Sequence, residues 1–183
     1  MNNRPVFNIE EVNKIIRNRR SQFVAQFKEN DPVDDGVIKE LLENANWAPT
    51  HKLTEPWRFV VFSGEGLKKL ADYQSNLYKE RSKRTGVFKE AVYNKLKENP
   101  LKASHVIAIG MKRDLRANLP EMEEISSVAM AVQNMYLTAS ARGFFGLGEE
   151  DMLMGFFFVA KPSSDGWPEG KRSPISDKVT WIK

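Results

Sequence analysis

The 183-residue chain contains no cysteine and only two histidines, His51 and His105. Without cysteine, disulfides, thiolate nucleophiles and thiolate-bound metals are excluded. Two histidines also argue against a multi-histidine metal centre, so no metal is expected. No apolar run approaches the roughly 20 residues that span a bilayer. The opening Met1-Asn2-Asn3-Arg4-Pro5 lacks the apolar core of a secretory leader, and a cytoplasmic protein with no membrane partner is expected. A concentrated block of one charge sign is missing too. Lys and Arg number 28 against 24 Asp and Glu, for a net charge of +4. The densest basic cluster, residues 81–84, has no aromatic side chain among its charges. It reads as a solvated helix face, and no nucleic-acid partner is expected. The modest positive excess, with a pI near 9.2, suits an enzyme whose ligands carry phosphates.

What is present is ordinary for one folded unit. Hydrophobic residues make up 41% and charged residues 28%, and residues 1–183 read as a single domain. Asn8 caps a short helix with Ile9, Val12, Ile15 and Ile16 on one face, ending near Asn18. Asp34 or Asp35 caps a second, with Val37, Ile38, Leu41, Leu42 and Ala45 on its apolar face. The run from Phe59 to Phe62 predicts a strand covered on both faces. A third helix follows through Leu67, Leu70, Ala71 and Tyr73. Residues 76–99 are strongly polar, with a helical pattern resuming at Val87, Ala91 and Leu96, and read as a surface excursion able to act as a mobile lid, with Pro100 punctuating it. A second strand covers Val106–Ile109 and continues to Met111. The longest helix, from Glu121 to Arg142, is apolar or small around most of its circumference, which predicts burial on several sides and a subunit interface. A third strand runs through 155–160. The tail 163–183 carries Trp181 and Ile182 and needs a surface, expected to be that of a partner subunit.

Two polar segments interrupt this pattern. Arg19-Arg20-Ser21 follows the first helix. Two guanidiniums and a hydroxyl can grip a phosphate or a ring carbonyl; equally, cations at a helix C-terminus complement its dipole. Ala48-Pro49-Thr50-His51-Lys52-Leu53-Thr54-Glu55-Pro56-Trp57-Arg58-Phe59 is an irregular segment opening into a strand. Its prolines stop any helix, and its His, Lys, Thr and Glu place several donors and an acid at the strand mouth. It reads either as a ligand-holding loop or as a plain connection. His105, inside a strand pattern, reads as a core or interface residue, and so does Trp57.

These segments, in this order, resemble the FMN-dependent nitroreductase family. Arg19-Arg20-Ser21 looks like its Arg-Arg-Ser signature. Ala48 to Phe59 looks like its Ala-Pro segment leading to Pro-Trp-Arg-Phe, with the His-Lys form of the small YdjA-like branch. Ser127-Val128-Ala129-Met130-Ala131-Val132-Gln133-Asn134-Met135 is similar to its central helix, and 155–162 to its next strand. The resemblance spans nearly the whole chain. It implies an α+β fold with a mostly antiparallel central sheet flanked by helices, and an intertwined homodimer holding two FMN molecules at its interface. It also implies hydride transfer from NAD(P)H, then reduction of a nitroaromatic, quinone or similar small-molecule acceptor by a ping-pong mechanism. The flavin would carry the chemistry, so no catalytic side chain is expected, which accords with the missing cysteine. The implied FMN ligands are Arg19 and Ser21 at the phosphate and Arg20, His51 or Lys52 at the ring carbonyl. Glu55 matches a Gln or Glu directed at the flavin or its ribityl chain, and Arg172 a basic tail position that reaches the phosphate in some relatives. Alternatives are a flavin-dependent relative performing reductive dehalogenation or ring oxidation, and a non-catalytic flavin-binding protein.

The chain departs from the family pattern after Phe144-Phe145-Gly146. A segment of about fifteen to twenty residues that normally follows the central helix has no counterpart, leaving little room for an intervening element. Either the protein is trimmed there, or a further loop belongs near 145–148; the second is the expectation.

Overall fold

The structure is a computed structural model, and it describes residues 7–21, 23–28, 31–143, 145–149 and 155–163. Among the described residues, five α-helices, α1 (Ile9–Asn18), α2 (Asp35–Asn46), α3 (Glu65–Thr85), α4 (Glu90–Lys102) and α5 (Glu121–Ala141), surround four strands. These are β1 (Trp57–Ser63), β2 (His105–Met111), β3 (Phe145–Glu149) and β4 (Phe156–Ala160). The sheet order is β1-β2-β4-β3 and every pairing is antiparallel, in line with the expected α+β architecture.

Side-chain alternation along the strands divides the core into two layers. Ile107, Ile109, Phe157 and Val159 point to one face and pack with Leu41 and Ala45 of α2 and Val128, Ala131 and Met135 of α5. Val106, Phe158 and Ala160 point to the other and meet Val24, Phe27 and the α3 residues Leu67 and Leu70. The sheet is therefore the middle layer. β2 is its axis, paired on both sides and buried from His105 to Ile109.

The caps form where the sequence places them. The Asn8 side chain accepts from Glu10 N–H, and Asp34 accepts from Gly36 N–H. His105 is buried, as expected, in a hydrogen-bond relay. Val33 N–H donates to Ser104 Oγ at 2.7 Å, which leaves the serine hydroxyl to donate to His105 Nδ1 at 2.9 Å. The protonated Nε2 then donates to Asp35 Oδ1 at 3.0 Å, tying the start of α2 to the sheet.

The helical pattern expected within residues 76–99 is present: α3 runs on to Thr85 and packs against α4 as a helical hairpin. Three expectations need correction. Pro100 lies inside α4 instead of ending it. Lacking an N–H, it leaves the Leu96 carbonyl without its helical donor, and Gln74 of α3 supplies one from its side-chain amide. β1 is not covered on both faces: its successive residues Val60 and Val61, which point to opposite faces, are both exposed. Lastly, α5 is buried along a single stripe, through Glu124, Ser127, Val128, Ala131, Met135 and Ala139. Ser126, Ala129 and Met130 face outward. α1 goes further in the same direction: no residue of it is buried, so Ile9, Val12, Ile15 and Ile16 form an uncovered apolar face.

Residues 145–149, where a further loop is expected, form β3 in continuous register with β4. The tail from 164, including Arg172, lies outside the described residues.

Phe157 is fully buried at the centre of the larger layer, its ring edge-on to Tyr136 at 4.8 Å. Phe157→Ala is expected to cost about 3–5 kcal/mol, read as a lowered urea midpoint with an unchanged m value.

Candidate functional site

The segment from Ala48 to Pro56 leaves α2, turns once at His51–Leu53 and enters β1. Pro49 and Pro56 bracket it, and three of its non-glycine residues have left-handed backbone: Lys52 (φ 52), Leu53 (φ 55) and Glu55 (φ 42). Each such residue costs of order 1–2 kcal/mol, so the surroundings must over-determine the path. They do so from three directions. Lys52 Nζ donates to the Ala117 carbonyl at 2.8 Å. His51 Nδ1 meets Glu123 Oε2 of α5 at 2.5 Å. Within the loop, Thr50 Oγ1 accepts from Glu55 N–H and contacts Thr54 Oγ1, both at 3.2 Å. At the strand mouth, Arg58 Nη1 donates to the carbonyls of Glu55 and Trp57. Trp57 is buried, and its indole N–H donates to Asn46 Oδ1 at 3.0 Å.

The Ala117 support is itself held by a buried ion pair. Glu124, 1% exposed, accepts from Arg113 Nε at 2.8 Å and from Asp114 N–H at 3.1 Å. Arg113 also donates to the Leu119 carbonyl at 2.7 Å. The Arg113 hydrogen bond holds the Glu124 carboxyl below the usual carboxylate range; burial opposes this, and the Asp114 N–H adds to it. These residues were missed as a site element in the sequence. The available signal was a glutamate at the 124, 128, 131, 135 stripe of an apolar helix, a position that requires a buried partner.

Between the loop and the first turns of α5 lies an open cleft of 360 Å³, lined by Pro49, Thr50, His51, Met122, Glu123 and Met130 among others. Its walls mix two thioethers with hydroxyl, imidazole and carboxylate groups, a combination suited to a planar, partly polar ring. His51 is therefore on a cleft wall. Lys52 spends one N–H on Ala117, and the Glu55 carboxylate makes no hydrogen bond among the described residues.

Arg19, Arg20 and Ser21 stand apart from this loop. Arg19 Nη1 donates to Ser21 Oγ at 3.1 Å, and its guanidinium lies over the Tyr136 ring, 5.2 Å from the centroid. No carboxylate pairs with it among the described residues. Arg20 turns back to the carbonyls of Arg17 and Arg19. Tyr136 and Glu123 are thirteen residues apart on α5, so the two predicted halves of the site lie about 20 Å apart along the helix axis within one chain. Among the described residues there is no group of three or more His, Asp or Glu that could hold a metal, and no helix long and apolar enough to cross a membrane.

The chain's similarity to known proteins follows the same lines. Residues 16–146 match the nitroreductase family. The putative NAD(P)H nitroreductase YfhC of Bacillus subtilis is 28% identical over 185 residues, covering 91% of each chain. Among solved structures, a nitroreductase-like family protein from Bacillus cereus superposes with a TM-score of 0.74 at 26% identity, covering 98% of each chain. The FMN-dependent nitroreductase NfnB of Mycobacterium smegmatis, solved in complex with NADPH, gives a TM-score of 0.71 at 15% identity, covering 96% of this chain and 99% of its own.

The buried pair makes a pH prediction. A carboxyl whose folded pKa is depressed contributes stability that is fully present above its unfolded value, about 4.3, and is lost as pH falls through the folded one. Glu124→Gln is expected to lower the thermal midpoint at pH 7 and to flatten its fall below pH about 4.3. A variant whose midpoint tracks the wild type in parallel through the acid range would show that this pair does not set the acid limb.

Proposed function

Because the chain belongs to the nitroreductase family, we propose that it is an FMN-dependent oxidoreductase that takes hydride from NAD(P)H and reduces nitroaromatics, quinones or similar acceptors. The observation that carries this reading is the Arg19–Ser21 pair: an uncompensated guanidinium already bonded to a neighbouring hydroxyl, braced on an aromatic ring. That donor set fits a phosphate, which needs charge-assisted donors held in place. YfhC's designation as an NAD(P)H nitroreductase and the FMN dependence of NfnB support the same cofactor and co-substrate here.

FMN, when bound, supplies the hydride-accepting and electron-donating chemistry. The chain's residues bind and orient. Arg19 and Ser21 hold the phosphate, with Arg20 beside them and Arg172 as a further candidate from the tail. His51, Lys52 and Glu55 present polar groups where the ring and ribityl chain would lie. Lys52 and His51 place positive or proton-donating groups near a ring that gains negative charge on reduction. Met122 and Met130 offer apolar surface for the ring in the open cleft beside that region. Donor and acceptor use the same opening in turn, which gives ping-pong kinetics.

The site belongs to a homodimer. The 20 Å separation of its two halves within one chain and, among the described residues, the uncovered apolar face of α1 and the unpaired edge of β1 support an arrangement in which one copy's Arg-Arg-Ser segment meets its partner's loop. A cytoplasmic location is part of the same reading.

The purified protein is expected to be yellow, to release FMN on denaturation, to bleach with NADH or NADPH, and to recover its colour with a nitroaromatic or quinone. Holoprotein that neither nicotinamide reduces would refute the reductase assignment. Arg19→Ala is expected to weaken FMN binding by about 1.5–3 kcal/mol, the worth of a charge-assisted contact, measured by flavin fluorescence titration. An unchanged affinity would remove Arg19 from the site.

A further inference from the structure

The β1–β2 register places a second set of cations beside the loop. Arg58 pairs with Gly110 across the ladder, and Lys112 N–H donates to the Pro56 carbonyl at 2.8 Å. Strand alternation therefore puts Arg58, Gly110 and Lys112 on one face of the sheet. Gly110 carries no side chain to stand between them; a Cβ there would come within 3.8 Å of that of Arg58. With Thr54, Arg113, Asp114 and Arg116, the Arg58 and Lys112 side chains line a cleft of 440 Å³.

The charges of this cleft do not balance. Arg113 is committed to Glu124, and Arg116 to Asp114 at 3.1 Å. Arg58 and Lys112 have no carboxylate partner among the described residues. Both line the same cleft, so an anion entering it meets two positive charges. The Arg58 guanidinium is already fixed by the Glu55 and Trp57 carbonyls at 2.9 and 2.6 Å, so little conformational freedom is lost when a ligand arrives. A phosphate monoester carries about −1.5 to −2 at neutral pH, which matches two cations. The cleft is also next to the first one. Thr50 lines one and Thr54 the other, and their hydroxyls are 3.2 Å apart, so the strained loop is a shared wall.

We propose that the Arg58–Lys112 cleft binds a phosphate of the nicotinamide dinucleotide co-substrate, outside the ring-holding cleft on the other side of the loop. The assignment rests on the reductase function proposed above. Two phosphates of such a ligand have the right chemistry, the 2′-phosphate of NADPH and the pyrophosphate common to both dinucleotides.

The test compares FMN-loaded wild-type protein with Lys112→Ala and Lys112→Arg. Calorimetric titration uses adenosine 2′,5′-bisphosphate and ADP; steady-state kinetics use NADPH and NADH. At least one nucleotide is expected to bind the wild type, more weakly as salt rises. Its Kd should rise about tenfold or more in Lys112→Ala and recover in Lys112→Arg. The KM of the matching dinucleotide should rise in parallel, with kcat changed less than about twofold. A loss confined to the bisphosphate and NADPH supports the 2′-phosphate, and an equal loss for ADP and NADH the pyrophosphate. Absence of nucleotide binding, or an unchanged Kd in Lys112→Ala, overturns the proposal. So does a fall in FMN affinity of the apo variant, which would give the cleft to the flavin phosphate. If neither nicotinamide reduces the holoprotein, the reductase function and the co-substrate assignment fall together, and the calorimetry separately reports whether the cleft binds phosphate at all.

Discussion

A carboxylate at 1% exposure stays ionised only if donors surround it, and Glu124 has them in Arg113 and the Asp114 backbone. This pair joins the exit of β2 to the first turns of α5. The connection between them, residues 112–120, then has a defined path, further held by Arg113 on the Leu119 carbonyl. Ala117 lies on that path and accepts the Lys52 ammonium. The loop with three left-handed residues therefore leans on a surface that the buried pair holds still. If the pair were lost, the Ala117 support would move, and the loop would relax toward backbone angles its residues prefer.

The loop works as a partition. Its Thr50 side borders the cleft against α5, with two methionines suited to a flat ring; its Thr54 side borders the basic cleft at Arg58 and Lys112. An elongated ligand with a ring at one end and phosphates at the other fits a pair of cavities better than either alone. Strain explains how such a thin wall keeps its shape. A loop in relaxed conformations has many alternatives of similar energy. One held at three positive φ values by Glu123, Ala117 and Thr50 has few, because each alternative would break a contact.

Local pattern carried much of the fold. The caps at Asn8 and Asp34 and the helix from Glu121 depend on contacts within a few residues, and the strand through Val106 to Ile109 shows as a short continuous apolar run; all form as read. The errors have a common origin. Pro100 was taken to punctuate the polar stretch before it, whereas α4 runs through it, with Gln74 of α3 replacing the donor that Pro100 removes. The burial of α5 and β1 was overestimated because apolar sequence specifies that a face must be covered, not that the same chain covers it.

The residues of the site divide along the same line. The sequence by itself determined which side chains carry useful chemistry, since an Arg-Arg-Ser segment and a proline-bracketed His-Lys-Thr-Glu loop owe their donors and acids to composition and order alone. It could also show that Glu124 sits on an apolar stripe. Only the tertiary structure decided where these groups stand: the two motifs about 20 Å apart along α5, Glu124 paired to Arg113, and Arg58 and Lys112 on one cleft wall with no carboxylate partner among the described residues. Those placements depend on strand register and helix docking between residues far apart in the chain, which no local pattern encodes.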